Sequence, residues 1–245
     1  MSGGSRVREK ITEASNLVGA TLPGWVDQCG GADLFMRETL SNRYFAMRHG
    51  HANSNAAGVL VSTLEHDRRL PGLTEAGRVQ VRDSVRSFLS GNPEVVSALD
   101  RLQIFCSPLS RAEETAAITQ RQIEEQFGYR VPVSCRGELI DRAWGHLEGQ
   151  PVEQWVDLRD ADVRDPVGAP FGAEPVVAMY RRASSLIGSL EQERAGSICL
   201  LVSHCDQLQA FEAVFQRSFA ELHYSEHPPL RNAEVRELLL GARPR

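Results

Sequence analysis

Short apolar runs of strand length recur along the chain after residue 43. The first is residues 44–47, the second is residues 102–106 and the third is residues 197–202. After its first residue the third run is continuously apolar, which is typical of a strand buried on both faces of a parallel sheet. We therefore predict three strands at these positions.

Longer segments with apolar residues three or four positions apart separate these runs, and each predicts a helix. Thr74 is a suitable N-cap for a helix that ends near residue 89. Its predicted apolar positions are Val79, Val81, Val85 and Leu89. Ser110 and Glu113 have the spacing of a capping box, so a second helix should begin at Ser110. Two further helices are predicted from about residue 174 to 191 and from Asp206 onward.

Weaker patterns lie at the edges of this series. Residues 131–133 predict a brief strand, and Pro132 favours an edge or an end. Residues 233–238 alternate between apolar and polar, as a last edge strand does. Residues 136–171 contain more glycine and proline, and we interpret them as an excursion that covers a site. We interpret residues 1–42 as an N-terminal arm with one short helix, whose apolar positions are Val7, Ile11, Ala14 and Val18.

Alternating strands and helices of this length predict an α/β fold. The expected architecture is a three-layer α/β/α sandwich around a mainly parallel sheet, formed by residues 43–245 as one domain. In such sheets ligands bind beyond the carboxyl ends of the strands. Functional residues should therefore stand directly after strands and before the helices that follow them.

Composition limits the classes of function. The chain has 245 residues, of which 42% are hydrophobic and 24% charged, as in an ordinary soluble protein. Its formal net charge of -5 predicts no nucleic-acid partner and no binding to acidic membranes. No apolar run approaches the roughly 20 residues that span a bilayer, and the first residues lack the apolar core of a secretory signal. Five cysteines without a C-x-x-C pair favour a reducing compartment, so a cytoplasmic protein is expected.

Three positions satisfy the rule of the strand ends. Arg48 and His49 end the first strand, Arg111 lies in the first turn of the helix after the second strand, and His204 ends the buried strand. Two arginines and two histidines are therefore expected at one edge of the sheet. Phosphate is the natural ligand of such a cluster, because the planar guanidinium group binds its oxygens in pairs.

Other interpretations of the same residues are available. Each histidine can be structural, and Arg111 can form a surface ion pair with Glu113 or Glu114. A metal-dependent hydrolase is a second possibility, with ligands drawn from His49, His51, His146 and His204. A cysteine phosphatase is excluded, because its loop requires a cysteine, five residues and then an arginine, and at that spacing from Cys205 this chain has Phe211.

Taken in order, these motifs resemble those of the histidine phosphatase superfamily, also called phosphoglycerate mutase-like. The resemblance covers roughly residues 43–240 and is closest to its phosphatases. Arg48-His49-Gly50 resembles the signature, with Asn55 at the spacing of the family's asparagine. The other matching segments are residues 72–77, 107–116, 139–149 and 201–204.

This resemblance implies a role for each motif residue. His49 is the nucleophile that forms a phosphohistidine. The phosphoryl oxygens are held by Arg48, Arg111 and His204, so that neither a metal nor a cofactor is required. Asp141 protonates the leaving oxygen and then activates water. Asn55 orients the phosphate or a substrate hydroxyl.

The chain departs from the family pattern at two positions. Asp141 stands where many members have glutamate, so burial must raise its pKa for it to donate a proton near neutrality. Cys205 follows His204 where glycine is usual, and we interpret it as a small buried residue. His51 and Arg142 are candidate substrate-binding residues because they lie beside the nucleophile and the acid.

Residues outside the motifs receive simpler interpretations. We expect Glu148 to support its loop and Arg181-Arg182 to lie on a solvated helix face. Asn232 and Glu234 are weaker candidates for the pocket lining.

The sequence favours hydrolysis over two alternatives on the same fold. A mutase usually has a longer lid with additional basic residues, whereas residues 142–174 contain three arginines and no lysine. A non-catalytic binding module would not need to retain the two arginines and two histidines. The expected substrate is a small phosphorylated metabolite such as a phosphosugar or a phosphoglycerate. A homo-oligomer remains open.

Overall fold

The computed structural model describes residues 39–216 and 228–241. Its sheet has five strands, in the order β3-β2-β4-β1-β5. They are β1 (Arg43–Arg48), β2 (Leu102–Cys106), β3 (Val133–Cys135), β4 (Ile198–Ser203) and β5 (Val235–Leu238). All neighbouring pairs are parallel except β1 and β5. The sheet is thus mainly parallel. The two strands that were predicted at edges, β3 and β5, do lie at its edges.

Eight α-helices lie within the described residues. They are α1 (Asn53–Ala57), α2 (Leu64–Asp67), α3 (Glu75–Gly91), α4 (Pro93–Val96), α5 (Ser110–Phe127), α6 (Trp155–Arg164), α7 (Val176–Glu193) and α8 (Cys205–Gln216). None of the helices in this part of the chain is long and apolar enough to cross a membrane.

Alternate residues of the strands face two separate cores. In β1, Tyr44 and Ala46 pack against α7 and α8, whereas Phe45 and Met47 pack against α3 and α5. Every residue of the central strand β4 is buried, which explains its continuous apolar sequence. The three-layer α/β/α sandwich is therefore confirmed.

Two predicted helix starts, those after Thr74 and at Ser110, are confirmed, but only the first has the predicted cap. Thr74 caps α3 as predicted, since its hydroxyl accepts from the amide of Gly77 at 3.0 Å. Helix α5 does begin at Ser110, but the predicted capping box is wrong. Its N-cap is Leu109, and the Ser110 hydroxyl instead accepts from the amide of Gly72 at 2.7 Å.

Two smaller differences from the predictions concern the burial of one helix residue and the start of one strand. Val79 of α3 is 44% exposed, and Phe88 fills the core in its place. The third strand begins at Val133, two residues later than predicted.

The excursion has a small core of its own, distinct from the two cores of the sheet. Its buried members are Leu60, Trp144, Leu147, Leu158 and Ala173, with Trp155 packed against them. Glu148 fastens the excursion to the loop before α2, because its carboxylate accepts from the amides and hydroxyls of Ser62 and Thr63 at 2.6–3.2 Å. The expected supporting role of Glu148 is confirmed.

The predicted arm and its helix on residues 7–18 lie outside the described residues. Just before β1, Ser41 and Asn42 are hydrogen-bonded to Glu191 of α7. The Glu191 carboxylate accepts from both backbone amides, at 2.7 and 3.1 Å. The entry into β1 is thus fixed at the end of the strand remote from its carboxyl edge.

Candidate active site

Three parallel strands end side by side and carry the candidate residues. Arg48 is the last residue of β1, Ser107 follows β2 and His204 follows β4. The sheet register continues past the strand ends, since His49 N donates to the Ser203 carbonyl and Ser107 N donates to the Val202 carbonyl, each at 3.0 Å. The structure thus places these three strand ends, with their motif residues, side by side at the carboxyl edge of the sheet.

His49 is held as a neutral imidazole with one unprotonated ring nitrogen. Its Nδ1 lies 2.8 Å from the Gly50 carbonyl oxygen, which can only accept, so Nδ1 carries the proton. Burial, and then the charges of Arg111 and Arg48, hold the pKa of His49 well below its usual value. Nε2 is therefore the unprotonated atom, and the Arg111 Nε donates to it at 3.3 Å.

The main chain of His49 is fixed from a different part of the chain. Its carbonyl oxygen accepts from the Ala233 amide at 3.1 Å and from the Asn232 side chain at 3.2 Å. Asn232, a weak candidate from the sequence, thus fixes the main chain of His49. Ala233 has a positive φ of 63°, a region that non-glycine residues seldom adopt outside constrained sites.

Arg111 is the central cation of the cluster and is only 3% exposed. Its guanidinium group donates to Asp67 at 3.3 Å, to Asp141 at 3.1 Å and to the Val61 carbonyl at 2.7 Å. The alternative of a surface ion pair with Glu113 or Glu114 is wrong, because Glu114 pairs with Arg78 at 2.6 Å.

Asp141 lies between the cation and the second histidine. Its Oδ2 accepts from Arg111 and is 3.8 Å from the Nδ1 of His204, while its Oδ1 accepts from the amide of Arg142 at 2.9 Å. Burial raises the pKa of Asp141 to about 7 despite the opposing charge of Arg111. This is the shift that an aspartate at the acid position requires.

His204 completes the cluster from the centre of the sheet. It is fully buried, its ring centroid is 5.1 Å from that of His49, and its Nε2 is 2.7 Å from the Ser107 hydroxyl. Burial holds the pKa of His204 well below its usual value. Within residues 39–216 and 228–241, its Nδ1 and the Nε of Arg48 are buried without a hydrogen-bond partner. Two polar atoms thus lie at the site with hydrogen-bonding capacity to spare.

These groups border a cavity of about 290 Å³. Arg48, His49, Asn55, Arg111 and Asp141 line it, which brings five of the eight predicted site residues to one surface. Asn55 is also tied to the backbone, because its side-chain oxygen accepts from the Ala52 amide at 2.9 Å. His204 lies behind this surface, next to Asp141.

Two predicted substrate-binding residues are not brought to the cavity. His51 does not line it, and the Nδ1 of His51 lies 3.1 Å from the Thr74 hydroxyl at the start of α3. Arg142 is fully buried elsewhere and forms a two-pronged ion pair with Asp162 at 2.6 and 2.7 Å. These partners hold both side chains away from the cavity, Thr74 for His51 and Asp162 for Arg142.

Cys205 differs from its interpretation as a buried residue. It is partly exposed and lines the cavity. Burial of its thiol raises the pKa of Cys205 to about 12, so the thiol stays protonated at neutral pH.

Several residues of the site were not predicted. They are Asp67 and Ser107, which support Arg111 and His204, and the cavity-lining Trp144, Trp155 and Asp206. The Asp206 carboxylate accepts from the Trp155 indole at 3.1 Å and so connects α8 to the excursion. The available signals were the placement of Ser107 directly after β2 and of Asp206 in the first turn of the helix that follows β4.

The histidines considered as metal ligands are not assembled into a site. In the described part of the chain, no group of three or more histidine, cysteine, aspartate or glutamate side chains is placed to hold a metal ion.

Comparison with known proteins gives a family match. The model of the histidine phosphatase superfamily (branch 1) matches residues 44–242. A protein of Schizosaccharomyces pombe named as a probable phosphatase is 29% identical over 126 residues. That match covers 51% of this chain and 52% of the relative, so the chain is aligned with about half the length of this curated relative.

Solved structures share the fold. The mycobacterial glucosyl-3-phosphoglycerate phosphatase is 22% identical, with a TM-score of 0.60, over 80% of this chain and 88% of its own. The phosphoserine phosphatase of Entamoeba histolytica is 19% identical, with a TM-score of 0.59, over 80% of this chain and 89% of its own. At these identities the likeness is one of architecture.

Proposed function

The chain belongs to branch 1 of the histidine phosphatase superfamily, and from that premise we propose that it hydrolyses phosphomonoesters through a phosphohistidine formed at His49. The state of His49 is the observation that carries the proposal. A neutral ring whose Nδ1 proton is donated to the Gly50 carbonyl leaves the Nε2 lone pair facing the guanidinium group of Arg111. That is the state in which an imidazole is a nucleophile.

In the first half-reaction the Nε2 lone pair attacks phosphorus as the bond from phosphorus to the leaving oxygen breaks. Asp141, protonated near neutral pH, gives its proton to that oxygen. The ring then carries a positive charge, which the hydrogen bond from Nδ1 to the Gly50 carbonyl stabilises.

Fixed hydrogen-bond donors, of which the two arginines are positively charged, receive the phosphoryl oxygens. Arg48 and Arg111 border the cavity, and the buried Arg48 Nε and His204 Nδ1 have hydrogen-bonding capacity to spare in the described structure. Such prearranged donors stabilise the charge that shifts during an in-line displacement. In this role they replace a metal ion.

In the second half-reaction the ionised Asp141 takes a proton from water. The water oxygen attacks phosphorus, the bond from Nε2 to phosphorus breaks, and the lone pair returns to His49. Inorganic phosphate leaves, and Asp141 is protonated again for the next cycle.

The lining of the cavity favours substrates with one phosphate group. Among the described lining residues, only Arg48 and Arg111 are cationic, so a second anionic group would lack a partner. The outer lining is largely apolar and consists of Val59, Leu60, Trp144, Val152, Trp155 and Pro229. We infer a small phosphorylated substrate whose leaving group presents an apolar face.

Hydrolysis of p-nitrophenyl phosphate in excess EDTA tests the proposed function. We expect turnover by the wild type, a loss of at least about 10³-fold in His49→Ala, and an acid-labile phosphoryl group on the wild-type protein alone. Activity abolished by EDTA, or retained by His49→Ala, would overturn the proposal. Transfer of the phosphoryl group to a second ester in preference to water would indicate a mutase.

A further inference from the structure

Asp141 lies on a segment without regular secondary structure. A single 3-10 turn, Gly137–Leu139, follows β3, and residues 140–144 are irregular. The backbone carbonyls of such a segment need partners other than a helix or a sheet. Whatever supplies them also fixes the direction of the Asp141 carboxyl group.

Arg182 of α7 supplies most of these partners. Its Nη1 donates to the carbonyl oxygens of Glu138 and Ile140 at 2.8 and 2.7 Å, and its Nη2 donates to that of Asp141 at 3.3 Å. Of the four consecutive carbonyl groups of residues 138–141, one guanidinium group thus binds three, including that of Asp141. The sequence-based interpretation of Arg182 as a solvated residue was wrong, since its side chain is only 16% exposed.

Glu174 holds Arg182 in place and closes the segment from its other end. The Glu174 carboxylate accepts from the Nε and Nη2 of Arg182, each at 2.8 Å. The Glu174 amide donates to the Ala143 carbonyl at 2.8 Å, and its own carbonyl accepts from the Nε of Arg142 at 2.8 Å. Asp141 therefore lies between backbone groups that are fixed on both sides by one ion pair.

Arg182 does not line the cavity. It can act on the reaction only through the segment that it holds and through its charge, which opposes the rise that burial causes in the pKa of Asp141. We propose that Arg182 is a positioning residue for Asp141 and sets the proton transfer to the leaving oxygen. This inference rests on the proposed function, in which Asp141 is the acid. The planar guanidinium group is essential for this role. A lysine ammonium group cannot form two parallel hydrogen bonds with the Glu174 carboxylate and also reach three carbonyl oxygens.

Two substrates of similar size separate this role from general structural damage. Benzyl phosphate releases an alcohol that needs a proton, whereas p-nitrophenyl phosphate releases a stable phenolate that does not. We expect Arg182→Met and Arg182→Lys to lower kcat/KM for benzyl phosphate by roughly 10²-fold, and that for p-nitrophenyl phosphate by less than about threefold. Asp141→Asn should lower kcat/KM for benzyl phosphate with the same selectivity. Adding Arg182→Met to Asp141→Asn should lower this kcat/KM little further, because the two residues act as one unit.

Arg181→Met is the matched control, since this exposed neighbour lies on the same helix; it should leave both rates within about twofold of the wild type. If Arg182→Met does not fold, Glu174→Gln gives the same readout through the same ion pair. Equal losses for both substrates, or no loss, in the Arg182 variants would overturn the inference alone while Asp141→Asn stays selective. No selective loss in Asp141→Asn would overturn the proposed acid as well.

Discussion

At the scale of single residues, Asp141 decides how the site depends on pH. Burial raises its pKa to about 7, the neighbouring charge of Arg111 opposes that rise, and the carboxylate of Asp206 adds to it. At neutral pH the group is therefore divided between its acid and base forms. Both forms are needed, one in each proposed half-reaction.

The pH dependence of kcat/KM follows from this value. Since the acid form of Asp141 is lost as the pH rises through about 7, kcat/KM for an alkyl phosphate should fall by about tenfold per pH unit above that point. The fall should be much weaker for p-nitrophenyl phosphate. Asp141→Asn should remove the basic limb, which initial rates between pH 5 and 9 would reveal. A limb that persists in Asp141→Asn would contradict the assignment.

The structure brings together some predicted residues that the fold class places at strand ends, and others that only their motifs indicated. Arg48, His49 and His204 lie at the ends of strands, where the fold class alone brings side chains together. Asp67 and Arg182 were missed because their partners are 44 and 41–44 positions away along the chain. Only packing of the excursion and α7 against the sheet makes such pairs adjacent, and no local pattern encodes it.

At the scale of elements, the excursion determines what can enter the cavity. It contributes Trp144, Val152 and Trp155 to the lining, and it is anchored by its own core and by Glu148. Its position as a cover over the site was predictable from its many glycines and prolines. The identity of its lining residues was not, because a segment with weak periodicity gives no face to assign.

Val152→Lys tests the contribution of this element to specificity. Val152 is 45% exposed at the cavity, so a lysine there should be tolerated. We expect kcat/KM for 3-phosphoglycerate to rise about two- to fivefold at low salt, the effect of one exposed charge, while that for benzyl phosphate stays unchanged. High ionic strength should remove the gain.

Val163→Lys provides the control for that measurement. Val163 of α6 is 47% exposed and does not line the cavity, yet the substitution adds the same charge. An equal gain in both variants would show that net charge, rather than the cavity wall, is responsible.

At the scale of the whole molecule, the candidate site and a hydrogen-bonded group that stabilises the fold lie at opposite ends of β1. The cluster lies at the carboxyl edge, whereas Glu191 lies beside the start of β1 and accepts from Ser41, Asn42 and the hydroxyl of Tyr44. Burial alone would raise the pKa of Glu191, but these hydrogen bonds outweigh it and lower the pKa below its ordinary value of 4.5. Its stabilising effect is therefore present at neutral pH and is lost as the pH falls through the lowered pKa.

Glu191→Gln should weaken the fold without changing the reaction. We expect the free energy of unfolding at pH 7 to fall by about 1.5–3 kcal/mol, the range for hydrogen bonds to a charged group, with kcat/KM unchanged. The difference from the wild type should narrow as the pH falls below about 4.5, as urea denaturation at several pH values would measure. A constant difference at all pH values would mean that the charge of Glu191 contributes nothing.

The strand order has a consequence for synthesis of the chain. Strand β1 pairs only with β4 and β5 within the described residues, and these strands are translated about 150 and about 190 residues later, respectively. At about 5–20 residues per second, the apolar β1 of a nascent chain waits roughly 10–30 s for its first partner. During that time the ribosome or a chaperone must shield a segment that carries the proposed nucleophile at its end. Premature release would expose an unpaired strand to aggregation before the enzyme has ever bound phosphate.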